Sequence, residues 1–184
     1  MSIHQMGVDV YRASTAPTVV APADPDVPFF LIEGSSTKVV KVHKIVVSGM
    51  SLTAVAYLPI ICRKYSTASS GGTATALTAV PIDSKSPTST ANILKVFTVA
   101  PTAGTSVGVI DSRRALAQAT TAAAAGIPNI IEFDFKGQDG DDWGPSLRGT
   151  GQGLGLEFGI DPASAVTMSV SVVWSEEPDV RQSP

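Results

Sequence analysis

Two acids lie two residues apart in NIIEFDF, Glu132 and Asp134, and paired carboxylates are the side chains that hydrolyse glycosidic bonds. That chemistry needs one acid to face the other across a cleft, whereas alternation along a strand puts these two on the same face. A solvated outer face accounts for both. Further on, DFKGQDGDDWG gathers Asp139, Asp141 and Asp142, and a calcium ion takes about 6–8 such oxygen ligands. The spacing departs from an EF-hand loop, with Trp143 and Gly144 misplaced and no closing Glu, so a polar turn between two strands is expected.

Of the two histidines, His4 and His43, only His43 falls in a strand-like run, KVVKVHKIVV. A serine nucleophile would need that imidazole held beside it, and no G-x-S-x-G elbow is present to supply one. His43 therefore reads as a polar residue on a solvated strand face. Cys62 is the one cysteine, which excludes an internal disulfide and a thiolate metal site; beside Ile60 and Ile61 it reads as a small core or edge residue. The glycines of RGTGQGLGLEFG alternate strictly and do not form a dinucleotide fingerprint, and GSSTK lacks the spacing of a phosphate loop. Glu176 and Glu177 look like plain solubility before a proline-containing tail. No catalytic, cofactor-binding or metal-ligating residue is assigned, and no enzymatic activity or cofactor is expected.

The whole composition points the same way. The chain has 184 residues, 43% hydrophobic and only 16% charged, with a net charge of -3. The average charged share is about 25%, so part of the exterior is expected to be covered by other subunits. A net negative charge gives no electrostatic ground for nucleic-acid binding. The start, MSIHQMGVDVYRAST, lacks the pattern of a secretory signal, and no apolar run approaches the roughly 18–20 residues that span a bilayer. Synthesis in a cytosol and no membrane association are the expectations.

The elements that would position these side chains are strands. Residues 1–28 carry Pro17, Pro22, Pro25 and Pro28 and read as an extended arm with one short strand around Val8–Arg12. A body follows over residues 29–177, then a tail, 178–184. Within the body, FFLIEG, TKVVKVHKIVVSG and LTAVAYLPIICRKYS are strand-like, the last two separated by a turn at Ser48–Ser51. Pro59 places the third of these at a sheet edge or a bulge. NIIEFDF buries Ile131, Phe133 and Phe135, and TMSVSVVW buries Met168, Val170, Val172 and Trp174 against Thr167, Ser169 and Ser171. Gly149, Gly151, Gly153 and Gly155 form a bare stripe that admits a close backbone or aromatic ring, opposite Leu154, Leu156 and Phe158. ILKVFTVA and VGVIDS add further strands. Arg113–Gly126 fits either a helix capped by Gly126 or a strand in which Leu116 and Gln118 alternate with Ala115 and Ala117. Many short strands without a fixed-period repeat predict one all-β domain, a sandwich or barrel.

The stretches TKVVKVHKIVVSGMSLTAVAYLPIICRKYSTASSGGTATALTAVPID, VFTVAPTAGTSVGVIDSRRALAQATTAAAAG, RGTGQGLGLEFG and SAVTMSVSVVWSEE resemble the Ala/Thr/Gly-rich β proteins of tailed-phage virions. The resemblance covers Lys38–Glu177 and lies in texture and segment order. It implies a jelly-roll-like single β-sandwich with an N-terminal arm, acting as a decoration or cement protein outside the capsid shell. The implied partners are the major capsid protein and further copies of the chain, as a homotrimer, and the implied location is the virion, assembled in the host cytoplasm. The alternative is a head-fibre, spike or tail-associated module that binds host-surface carbohydrate on an aromatic shelf near Trp143 or Tyr57. In either case Arg63–Pro87, built of Ser, Thr, Ala and Gly, becomes an exterior strand-loop-strand passage, ordered by a neighbour or left flexible.

Overall fold

The computed structural model describes residues 8–20, 25–53, 56–92, 94–119, 129–135, 144–162 and 164–179. The described chain is all β, with thirteen strands: β1 (Asp9–Ser14), β2 (Thr18–Val20), β3 (Pro28–Glu33), β4 (Lys38–Leu52), β5 (Ala56–Tyr65), β6 (Thr73–Ala76), β7 (Val80–Pro81), β8 (Leu94–Val99), β9 (Ser106–Ala119), β10 (Ile130–Asp134), β11 (Ser146–Leu147), β12 (Gly153–Phe158) and β13 (Val166–Pro178). They form one curled, open sheet, a half-barrel, in the order β6-β8-β3-β12-β5-β9-β4-β13-β1-β7, with β10 and β11 on β4 and β2 on β13. The β4–β9 contact, Ser51 to Gln118 and Leu52 to Ala119, is parallel, and the other strand pairs run antiparallel. No helix among the described residues is long and apolar enough to cross a membrane.

The concave side holds the core. Val170, Val172 and Trp174 of β13 face Val42, Ile45 and Val47 of β4, and Trp174 stacks on Tyr11 with ring centroids 5.6 Å apart. Ile131 and Phe133 of β10 join them, as alternation predicts. Phe29 stacks on Phe158 at 4.6 Å on the far half of the sheet. β3 and β12 are buried at every position, because the sheet's outer face is covered there too by a smaller cluster of Leu31, Tyr65 and Phe97.

Three expectations change. The short strand expected around Val8–Arg12 is present as β1, but residues 9–14 and 18–20, assigned to an extended arm, pair into the sheet: β1 pairs with β13 from Asp9–Glu176 to Ser14–Ser171, and Tyr11, Ala13 and Val20 are buried. The turn at Ser48–Ser51 is a bulge inside one long strand. Ser48 and Ser51 of β4 oppose Ser169 and Thr167, three steps against two, with Gly49 at φ +67° absorbing the extra residue. Pro59 is neither at a bulge nor on an edge strand, for β5 lies between β12 and β9; it sits where β12 ends, so the missing N–H breaks no ladder there. Of the two alternatives for Arg113–Gly126, Arg113–Ala119 takes the strand, with Ala115 and Ala117 buried and Leu116 and Gln118 on the other face. The rest of the helical alternative, through Gly126, lies outside the described residues.

Candidate functional site

Glu132 and Asp134 stand on the exposed face of β10. Glu132 pairs with Lys44 across the β10–β4 ladder at 2.8 Å and is half-exposed, so it is an ordinary surface ion pair. His43 lies half-buried on β4, its carbonyl accepting the Phe135 N–H at 2.9 Å. Cys62 is fully buried, and burial pushes its thiol far above the ordinary value, which removes it as a nucleophile. Asp139, Asp141, Asp142 and Trp143 lie outside the described residues. Among the described residues no cluster of three or more His, Cys, Asp or Glu could hold a metal.

The structure instead draws out three acids that the sequence analysis passed over or read as surface. Glu33, Glu157 and Glu176 are each almost wholly buried, at 1%, 0% and 0% exposure. Glu176 accepts hydrogen bonds from Ser89 O–H (2.6 Å), Thr90 N–H (3.0 Å), Thr90 O–H (2.7 Å), Ala91 N–H (3.2 Å) and the Trp174 indole (3.2 Å). Burial pushes its carboxyl up, but these donors outweigh burial and hold it below the usual value. Glu33 accepts from Ser69 N–H and the Asn92 amide, both at 3.2 Å; with only neutral donors in contact, burial prevails and raises its carboxyl despite the charge of Lys95. Glu157 takes the Arg63 Nε–H and the Tyr65 O–H (3.1 Å), and burial raises it against their pull. Arg63 also binds Asp26 at 2.8 Å and Ser106 at 3.2 Å.

Two of these carboxylates, Glu33 and Glu176, are loop anchors, while Glu157 ties Arg63 and Tyr65 within the sheet. Ser66–Gly72 and Ser84–Asn92 are runs of mostly small residues with little apolar area to bury, and Glu33 bonds Ser69 N–H and the Asn92 amide while Glu176 bonds Ser89, Thr90 and Ala91. The first run is tied further to 102–105: Ser70 and Thr102 exchange N–H···O bonds of 3.0 and 2.7 Å, and Ser69 Oγ accepts the Gly104 N–H at 3.1 Å. Gly104 is required there, since a Cβ would sit 1.9 Å from the Thr67 carbonyl oxygen. Arg63–Pro87 is thus a strand-loop-strand passage, as expected, and its loop is held from within the molecule. The signal for two of the three buried acids, Glu33 and Glu157, was an acid inside an otherwise apolar run, FFLIEG and LGLEFG.

One open cleft stands apart from these anchors. Leu77–Ala79 joins β6 to β7, the two terminal strands of the ten-strand path, so the open seam of the half-barrel lies beside that connection. A cleft of about 610 Å³ fills the seam, lined by Arg12, Ser14, Thr15 and Thr18, by Val80 and Ile82 of the segment paired with β1, and by Thr75 and Leu77 at the β6 end. Among the described residues Arg12 is the one charged residue that lines it. Comparisons of the chain with protein-family models, with curated proteins and with solved structures find no match.

Proposed function

We propose that this chain is a non-enzymatic structural protein of a tailed-phage particle, a jelly-roll-like decoration protein that binds the outside of the capsid shell as a homotrimer and bridges its subunits. One observation carries the proposal: the outer half of β9 projects past the core with apolar side chains in solvent. Val107, Val109 and Ile110 are 63%, 51% and 42% exposed. Among the described residues only β5 pairs with β9 over Ser106–Arg114, which leaves the other edge of that stretch for a neighbour. A chain this short of charge gains by covering such a surface, and rigid anchored loops suit adhesion without a moving part. The resemblance to virion β proteins points to the shell as the surface met.

The test mixes purified protein with empty phage shells and measures co-sedimentation, with light scattering for the free oligomer. A trimer that saturates the shells is expected. Val109→Glu, at an exposed position, is expected to keep the melting temperature and weaken shell binding by at least about tenfold, the effect of burying one unpaired charge in an interface. A monomer with no affinity for shells would overturn the proposal. A glycan-binding module is the second reading, carried by the exposed Tyr57 ring with the Arg114 guanidinium 5.8 Å above it; glycan-array binding lost in Tyr57→Ala would favour it instead.

A further inference from the structure

The seam cleft is bounded by two strand edges that, among the described residues, are both unpaired where they meet it. In β1, Thr15 donates its N–H to Val170 of β13, so odd-numbered residues bond β13 and even-numbered ones face the other way. Val10 and Arg12 meet β7 on that side, Ile82 N–H donating to Val10 O at 2.8 Å and Arg12 pairing with Val80. Ser14 comes next in this series and has no strand opposite it, because the chain has turned away at Leu77, whose N–H bonds Leu94 of β8. By the same alternation, Ala74 and Ala76 of β6 point away from β8. The walls between the edges are small and apolar or hydroxylic: Ala13, Thr15, Thr75, Leu77, Val80 and Ile82. At about 610 Å³ the cleft lies within the range of ligand-binding clefts.

We infer that this cleft receives an extended segment of a partner polypeptide that carries a carboxylate, its backbone pairing with β1 at Ser14 and with β6 at Ala74 and Ala76, its carboxylate meeting Arg12. Among the described residues Arg12 has no acidic partner and is the one charge that lines the cleft, so the occupant it complements is acidic. Backbone pairing would supply affinity and Arg12 the choice of sequence, the division of labour in strand addition to a sheet edge. The inference does not depend on where in nature the chain works, and it uses a surface distinct from the outer half of β9.

The probe is a fluorescein-labelled peptide of about eight residues, TVTVEVTV, long enough to span a strand edge, with TVTVKVTV as its counterpart. Fluorescence anisotropy should show the Glu peptide binding and the Lys peptide binding about tenfold more weakly, the worth of one charge-assisted hydrogen bond. Arg12→Ala, a change at an exposed side chain, should bring the two peptides within about twofold of each other. Amide exchange at Ser14, Ala74 and Ala76 should slow when the Glu peptide binds. No binding by either peptide at about 1 mM, equal binding of the two, or unaltered exchange at all three amides would overturn the inference. So would self-association of the free protein that Arg12→Ala abolishes, since that names a second copy as the occupant.

Discussion

A carboxylate buried among five donors stabilises only while it is ionised, and Glu176 is such a group. Its folded-state value is depressed below the ordinary 4.5, so its contribution is complete above that pH and is lost as pH falls through the depressed value. Glu33 has the opposite sign: its raised carboxyl favours the folded state most below the ordinary value, and that advantage is lost as pH rises through the raised one. Glu176→Gln replaces an acceptor oxygen with an NH₂ group facing the Ser89, Thr90 and Ala91 donors. The expected loss is about 2–3 kcal/mol at neutral pH, read by urea unfolding. The gap between wild type and variant should narrow as pH falls below the ordinary value of 4.5 and on through the depressed one, where the native carboxylate also protonates. A constant gap across that range would show that the charge of Glu176 is not what holds Ser89–Ala91. The sequence did not reveal this residue, because Glu176-Glu177 before a proline has the look of a solvated strand end. Only the pairing of Glu176 with Val40 in β4, beneath a loop that returns from 87 residues earlier, buries it.

Strand alternation was the most legible part of the chain. The buried faces of β10 and of β13 as far as Trp174 were readable residue by residue, since a period of two survives any change in the surrounding topology. What alternation cannot supply is which strands become neighbours, and the misplaced boundaries follow from that. The extra residue at Gly49 reads as a turn until β13 is known to run past it, and Pro59 reads as an edge signal until β12 is known to end there. The glycine stripe was half right. Gly153 and Gly155 lie in β12, and a Cβ at Gly155 would stand 2.9 Å from the Tyr65 ring and 3.1 Å from the Phe30 carbonyl oxygen, the close aromatic approach expected. Gly149 and Gly151 precede the strand in a turn, and at Gly151 a Cβ would meet nothing nearer than 3.7 Å. Gly155→Ala should therefore cost about 1–3 kcal/mol by overpacking, whereas Gly151→Ala should leave the melting temperature nearly unchanged. Equal effects of the two would mean that the Tyr65 ring moves aside freely.

At the scale of the whole molecule, a curled sheet leaves two kinds of opening, the seam beside β6 and β7 and the free edge of β9, and each offers backbone groups and apolar side chains to a neighbour. Fold class was legible in the sequence because many short β-branched or alternating runs are separated by Gly, Pro and Ser. The openings were not, for an edge exists only once the strand order is set. The proposed work of the protein, adhesion to a shell, is located at the outer half of β9, and that placement can be measured directly. Amide hydrogen exchange, compared between the free protein and protein bound to empty phage shells, should slow by about tenfold or more across Ser106–Arg114 as those edge amides become paired. Exchange in that stretch as fast on the shells as in solution would contradict adhesion through β9.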